Sequence, residues 1–107
     1  MITTVKIFGQ LKPAAATLTN LCTIAIDKEG QLMLTACNQS ASEEKVRVAV
    51  VPSGETINPK HYVLYDTPIP ANGIGDKPFD LPAGAIMKVY SLGGNVSFTA
   101  EGLEVTI

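Results

Sequence analysis

Apolar and polar positions alternate along most of this chain. Val46, Val48 and Val50 are separated by Lys45, Arg47 and Ala49, the two-residue period of a strand with one apolar face. Val96 and Phe98 alternate with Ser97 and Thr99 in the same way, and Val5, Ile7 and Leu11 share one parity within residues 3–11. The runs His61-Tyr62-Val63-Leu64-Tyr65 and Ile86-Met87-Lys88-Val89-Tyr90 are rich in the β-branched and aromatic residues that favour strands. Helical signals are weak. Pro13-Ala14-Ala15-Ala16 could make one turn with proline at its first position, but the β-type residues of 17–23 stop it from growing.

The breaks between these runs carry turn chemistry. Asp27-Lys28-Glu29-Gly30 separates residues 19–26 from 31–38 and predicts a hairpin. Residues 38–43 are polar and loop-like, and Pro52-Ser53-Gly54 with Asn58-Pro59 brackets a connection that a central strand would not tolerate. Pro68, Pro70, Gly73, Gly75 and Pro78 make residues 67–78 the longest irregular segment expected, and Gly93-Gly94-Asn95 predicts a tight hairpin. About eight strands at this spacing point to an all-β fold, an antiparallel β-sandwich or a jelly-roll-like barrel. Near the end the parity changes. Val96, Phe98 and Ala100 face one way, while Leu103, Val105 and Ile107 have the opposite parity, with Glu101-Gly102 at the switch. Either a bulge there returns the apolar side chains to the core, or the last strand crosses to the second sheet. The apolar Ile107 suggests that this end is tied into the sheet.

At 107 residues the chain is one domain, residues 1–107, with 1–18 as a possible arm or edge strand. Hydrophobic residues make up 46%, enough for a core without a metal or disulfide framework. Charged residues make up only 17%, below the usual ~25%. The surface is therefore poorly charged, which suits contact with copies of itself or a larger assembly; a Thr- and Ser-covered surface that meets only water is the alternative. The net charge of −2 and the scattered lysines argue against nucleic acid. Residues 1–18 lack the apolar run of a signal peptide, and no stretch of about 18 apolar residues suggests a membrane span. In the predicted hairpin Cys22 and Cys37 lie diagonally, roughly 7–8 Å apart, beyond the ~6.8 Å limit of a disulfide, so two packed thiols are expected.

Reactive constellations are hard to find. His61 is the single histidine; with Asp66 or Ser53 it could act as a base, but no nucleophile elbow supports that role. Asp66, Asp76 and Asp80 border the long loop, where the last two read as turn residues around Pro78, and no Asp-rich calcium loop is present. Gly73-Ile74-Gly75 and Gly93-Gly94 lack the strand-to-helix setting of a phosphate loop. The expectation is a protein that binds or builds, with no catalytic residue, metal or cofactor. Tyr62, Tyr65 and Tyr90, together with Phe79, are the interface candidates, because aromatic side chains supply rigid contact area. Strand alternation places Tyr62 and Tyr65 on opposite faces.

Several stretches carry a family resemblance. Residues 9–19 (Gly9-Gln10-Leu11-Lys12-Pro13-Ala14-Ala15-Ala16-Thr17-Leu18-Thr19), Arg47-Val48-Ala49-Val50, residues 60–69 from Lys60 to Ile69, Leu81-Pro82-Ala83-Gly84 running into 86–91, and Val96-Ser97-Phe98 resemble, in that order, small virion structural proteins of tailed bacteriophages. The resemblance implies a β-sandwich that assembles with copies of itself on the particle. A capsid decoration or cement protein is then expected, made in the host cytoplasm and located on the virion, with the major capsid protein or other virion proteins as partners and a homotrimer as its unit. A tail or neck component or a host-surface adhesin is the alternative, and a non-phage interaction domain the third. Loss of residues 1–12 is expected to abolish assembly while leaving the fold.

Overall fold

A computed structural model describes residues 2–107. Eight strands follow one another: β1 (Ile2–Leu11), β2 (Thr19–Thr23), β3 (Lys28–Asn38), β4 (Glu44–Val51), β5 (Tyr62–Ile69), β6 (Ile74–Leu81), β7 (Ile86–Ser91) and β8 (Val96–Thr106), with one short 3-10 turn at Pro59–His61 before β5. They form two antiparallel sheets of four, ordered β1-β8-β3-β6 and β2-β7-β4-β5. The expected all-β sandwich is what the chain forms. Only β4 and β5 are consecutive strands paired in one sheet; every other connection crosses from sheet to sheet. That wrapping is the jelly roll, whose strands interleave so that few exposed edges are left.

The core lies between the sheets. Leu32, Leu34, Ala36, Val96, Phe98 and Ala100 come from one side, and Val46, Val48, Met87 and Val89 from the other, all buried. Their alternation with exposed neighbours explains why these segments became strands: a period of two puts every second side chain out of water.

Several expected turns prove to be something else. No hairpin joins residues 19–26 to 31–38: β2 pairs with β7 and β3 with β8 and β6, so Asp27-Lys28-Glu29-Gly30 lies at a sheet-to-sheet crossover, with Lys28 to Gly30 already inside β3. Cys22 and Cys37 therefore sit in different sheets, both as free thiols. Gly93-Gly94-Asn95 likewise links strands of opposite sheets. Residues 67–78 are mostly strand, and Pro68 and Pro78 are accommodated because β5 and β6 are both edge strands, where a missing N–H costs no ladder bond. Asp76 and Asp80 are accordingly exposed strand residues of β6, not turn residues.

The parity switch near Gly102 is resolved in an unexpected way. β8 pairs with β3 in unbroken register from Asn38↔Val96 to Lys28↔Thr106, so no bulge forms there and the strand does not change sheets. The register shift lies in its other neighbour, β1, between Ile7 and Gly9. Leu103 and Ile107 therefore stay on the outer face, exposed, beside Val5, Ile7 and Met33. The Ile107 N–H donates to the Asp27 carbonyl at 2.9 Å, tying that end to the β2–β3 crossover. Residues 2–11 form an edge strand that also packs Phe8 and Leu11 against the core, so removing residues 1–12 strips part of the fold along with any contact surface.

The two thiols differ in accessibility. Burial raises the Cys22 pKa to about 11, the Met87 backbone bond and Lys6 offsetting only part of the effect. Cys37 is half-buried. Mass spectrometry after iodoacetamide treatment of the native protein at pH 8 should find one adduct, at Cys37, with Cys22 reacting only after denaturation; two native adducts would contradict this packing.

Candidate interface on the tyrosine face

The outward residues of β4, β5 and β7 build one surface cluster. Arg47 on β4 stands opposite Tyr90 on β7, and β5 supplies the other side. Between Val46↔Thr67 and Val48↔Leu64, Arg47 faces two residues of β5, Tyr65 and Asp66; a second shift follows before Ala49↔Tyr62. These two bulges add residues to β5 and cancel the alternation on which the sequence reading relied. Tyr62 and Tyr65 consequently meet on one face, ring centroids 5.1 Å apart in an edge-to-face pair, instead of on opposite faces. Asp66 occupies left-handed backbone (φ 51°), which turns its carboxylate back toward Arg47.

Arg47 organises the cluster. Its Nε donates to Asp66 Oδ1 at 2.7 Å and its Nη2 to Oδ2 at 3.3 Å, the two-pronged geometry that a guanidinium alone provides. The guanidinium carbon lies 4.1 Å from the Tyr65 ring centroid and 4.7 Å from that of Tyr90. The hydrogen bond from Arg47 holds the Asp66 carboxyl below its usual range, burial opposing and the charges of Arg47 and Lys45 adding to it. Arg47 is raised in turn, chiefly by that bond. Tyr65 is 58% exposed, so a rigid ring is presented to solvent on a fixed ionic base. Phe79 does not join the tyrosines: it lies on β6 of the opposite sheet, packed against the core.

The neighbouring loop completes the surface. His61 is buried, its Nδ1 accepting from the Asn58 N–H at 3.1 Å and its Nε2 3.1 Å from Glu55 Oε1. An accepting Nδ1 places the ring proton on Nε2, which then donates to Glu55. That bond, with a second from Lys60, lowers the Glu55 carboxyl. His61 thus locks the loop before β5, and neither Asp66 nor Ser53 is its partner. A shallow depression lined by Leu18, Ile57, Asn58, Pro59, Tyr62 and Tyr65 runs beside it. Among the described residues no group of three or more His, Cys, Asp or Glu side chains is placed to hold a metal ion.

The two outer faces differ in charge. Register puts Lys45, Arg47 and Lys88 on the tyrosine face, with Asp66 as the acid among them. The opposite face carries Glu29, Asp76, Asp80 and Glu101, while the lysines of its strands, Lys6, Lys28 and Lys77, take the inward parity. Arg47 and Asp66 are not among the interface candidates that the sequence marks, because the bulge that joins them leaves no trace in the hydrophobic pattern.

In comparisons with known proteins, no family model, curated protein or solved structure matches this chain.

Proposed function

We propose that this chain is a bacteriophage virion structural protein, a decoration or cement protein that self-associates and whose tyrosine face bridges capsid subunits. The observation that carries the reading is the Tyr62–Tyr65–Arg47–Tyr90 cluster. The exposed Tyr65 with the half-buried Tyr62, Tyr90 and Arg47, held together around the Asp66 fork, can bind a partner with little loss of side-chain entropy. The sequence resemblance to small phage virion proteins supplies the particle. The excess of Lys45, Arg47 and Lys88 on this face suits an acidic partner surface, so binding should weaken as salt is added.

The test is co-sedimentation with undecorated capsids of the phage that encodes the chain. Wild-type protein should saturate the particles. Tyr65→Ala and Arg47→Ala should each weaken binding by at least about tenfold, as substitutions of buried interface anchors do. No sedimentation of the wild-type chain, or unaltered binding by both variants, would refute the assignment. The depression beside Tyr62 and Tyr65, with Asn58 at its rim, supports a host-surface adhesin as the second reading; retention on immobilised host glycans without capsid binding would select it. Light scattering coupled to size exclusion gives the number of 11.3 kDa copies in the free unit, three for the trimer expected above.

A further inference from the structure

Four strands end the two sheets, and three of them are blocked against pairing with another chain. β6 carries Pro78 and the charged Asp76, Lys77 and Asp80. β5 carries Pro68 and its two bulges. β2 has five residues and a bulge between Asn20 and Cys22. Prolines, charges, bulges and shortness are the devices by which natural sheets protect their edges. β1 has none of them over residues 2–7. It holds regular register as far as Ile7, contains no proline, and exposes Val5 by 83% and Ile7 by 56%. Its one charged side chain, Lys6, is taken up at 2.8 Å by Glu104 of its own chain. Beyond the bulge the edge closes, because the Gly9 backbone lies directly against the Leu21 carbonyl of β2.

We propose that residues 2–8 pair antiparallel with the same segment of a second copy, about a two-fold axis through Val5, merging two four-stranded sheets into one of eight strands. The inference rests on the reading of this chain as a self-associating building block, and it names the surface. The blocked edges choose the occupant. Another copy offers β1 only one open edge, its own β1, and a patch that pairs with itself is the isologous contact of a two-fold. The product is a dimer, in place of the trimer expected from the resemblance. The charges agree. With Val5 on the axis, Lys6 faces Thr4 and Thr3 faces Ile7 across the junction, whereas an axis through Lys6 would set two ammonium groups side by side. About six to eight backbone hydrogen bonds would form, within the ~10 ± 5 carried by specific interfaces. The contact is small, so its strength in use comes from repetition over a particle lattice.

Cross-linking tests the geometry directly. Residues paired on the axis have Cβ atoms about 4.5–5.5 Å apart, close enough for a disulfide after slight adjustment. In a Cys37→Ser background, Val5→Cys should oxidise to a covalent dimer at least ten times faster than Ile74→Cys, also a well-exposed position (63%, against 83% for Val5) on the blocked edge β6. Val5→Lys should reduce the mass in solution to that of a monomer while leaving the circular dichroism unchanged, since the side chain lies in solvent in the single copy. Equal cross-linking at positions 5 and 74, or a dimer that survives Val5→Lys, would overturn the proposal. Capsid co-sedimentation on the same samples separates the two readings. Particle binding without position-5 cross-linking overturns the edge pairing alone, and position-5 dimers that ignore capsids overturn the capsid assignment alone.

Discussion

Replacing Phe98 by alanine is expected to destabilise the fold by about 3–5 kcal/mol, the usual cost of truncating a fully buried aromatic side chain. Phe98 has no exposed surface and, as the third residue of β8, points between the two sheets. A cavity of about 120 Å³ already adjoins it, lined also by Leu34, Ala36, Val46, Val48 and Leu64. The ring is therefore one wall of an existing void. Its removal enlarges that void, and the sheets on either side, held by their ladders, cannot collapse to fill it. Domains of this size are stable by only about 5–15 kcal/mol, so the variant should sit near the edge of folding. Urea unfolding should show a midpoint lowered by about 2 M with an unchanged slope. Ile74→Ala, on an exposed edge, is the control and should fall within about 0.5 kcal/mol of the wild type. A Phe98→Ala midpoint within a few tenths molar of the wild type would mean that the two sheets are not packed as described.

The second large effect is expected at Glu44, which is buried at the start of β4. Its Oε1 accepts from the Ser91 hydroxyl, from the Gly93 N–H at 2.7 Å and from the Asn95 N–H at 3.3 Å. One carboxylate thus fastens the crossover between β7 and β8. Burial by itself raises the pKa of this group, but the hydrogen bonds from Ser91, Asn95 and Gly93 together outweigh it and leave the carboxyl below its usual range. Glu44→Ala removes bonds to a charged acceptor and strands a hydroxyl and two backbone N–H groups, for an expected loss of about 2–3 kcal/mol. The pH dependence follows from the direction of the shift. A carboxyl whose folded pKa is depressed contributes stability that is present above its unfolded pKa of about 4.3 and is lost as pH falls through the folded value. Wild-type stability should therefore decline below about pH 4.3, and Glu44→Gln should flatten that decline while lowering stability at pH 7. An acid limb of the same slope in Glu44→Gln would show that Glu44 is not the group responsible.

Asn38 plays a related part at the end of β3, just before β4 begins. Its Nδ2 donates to the carbonyls of Ser42, Ile69 and Pro70, and its Oδ1 accepts from the Ser40 N–H and hydroxyl. Glu44 and Asn38 together pin the β3–β4, β5–β6 and β7–β8 connections, which meet at one end of the sandwich. Both stand in or beside the stretch that the sequence presents as polar loop, and nothing in its polarity marks these two side chains for burial.

The amino-acid sequence by itself determined the fold class and the position of most strands. The period of two in Val46-Val48-Val50 and Val96-Phe98-Ala100 shows which side chains leave water, and those side chains are the core. It also marked the tyrosines as candidates and separated the runs at proline and glycine. Tertiary structure decided which strands are neighbours. A turn such as Asp27–Gly30 or Gly93–Asn95 has the same chemistry whether the chain folds back beside itself or crosses to the other sheet, and the burial of β2 against β7 and of β3 between β8 and β6 selects the crossing. Tertiary structure also decided the faces after a bulge. Alternation is a local count, and one extra residue in β5 inverts it, bringing Tyr62 to Tyr65 and Asp66 to Arg47. In β8 the opposite holds: the count runs on unbroken past Gly102, so Leu103 and Ile107 stay outside despite being apolar. A strand's own pattern states how many of its side chains prefer burial, but the number that achieve it depends on how far the partner sheet extends. β2 and β7, with five and six residues, are much shorter than the eleven-residue β3 and β8 of the opposite sheet.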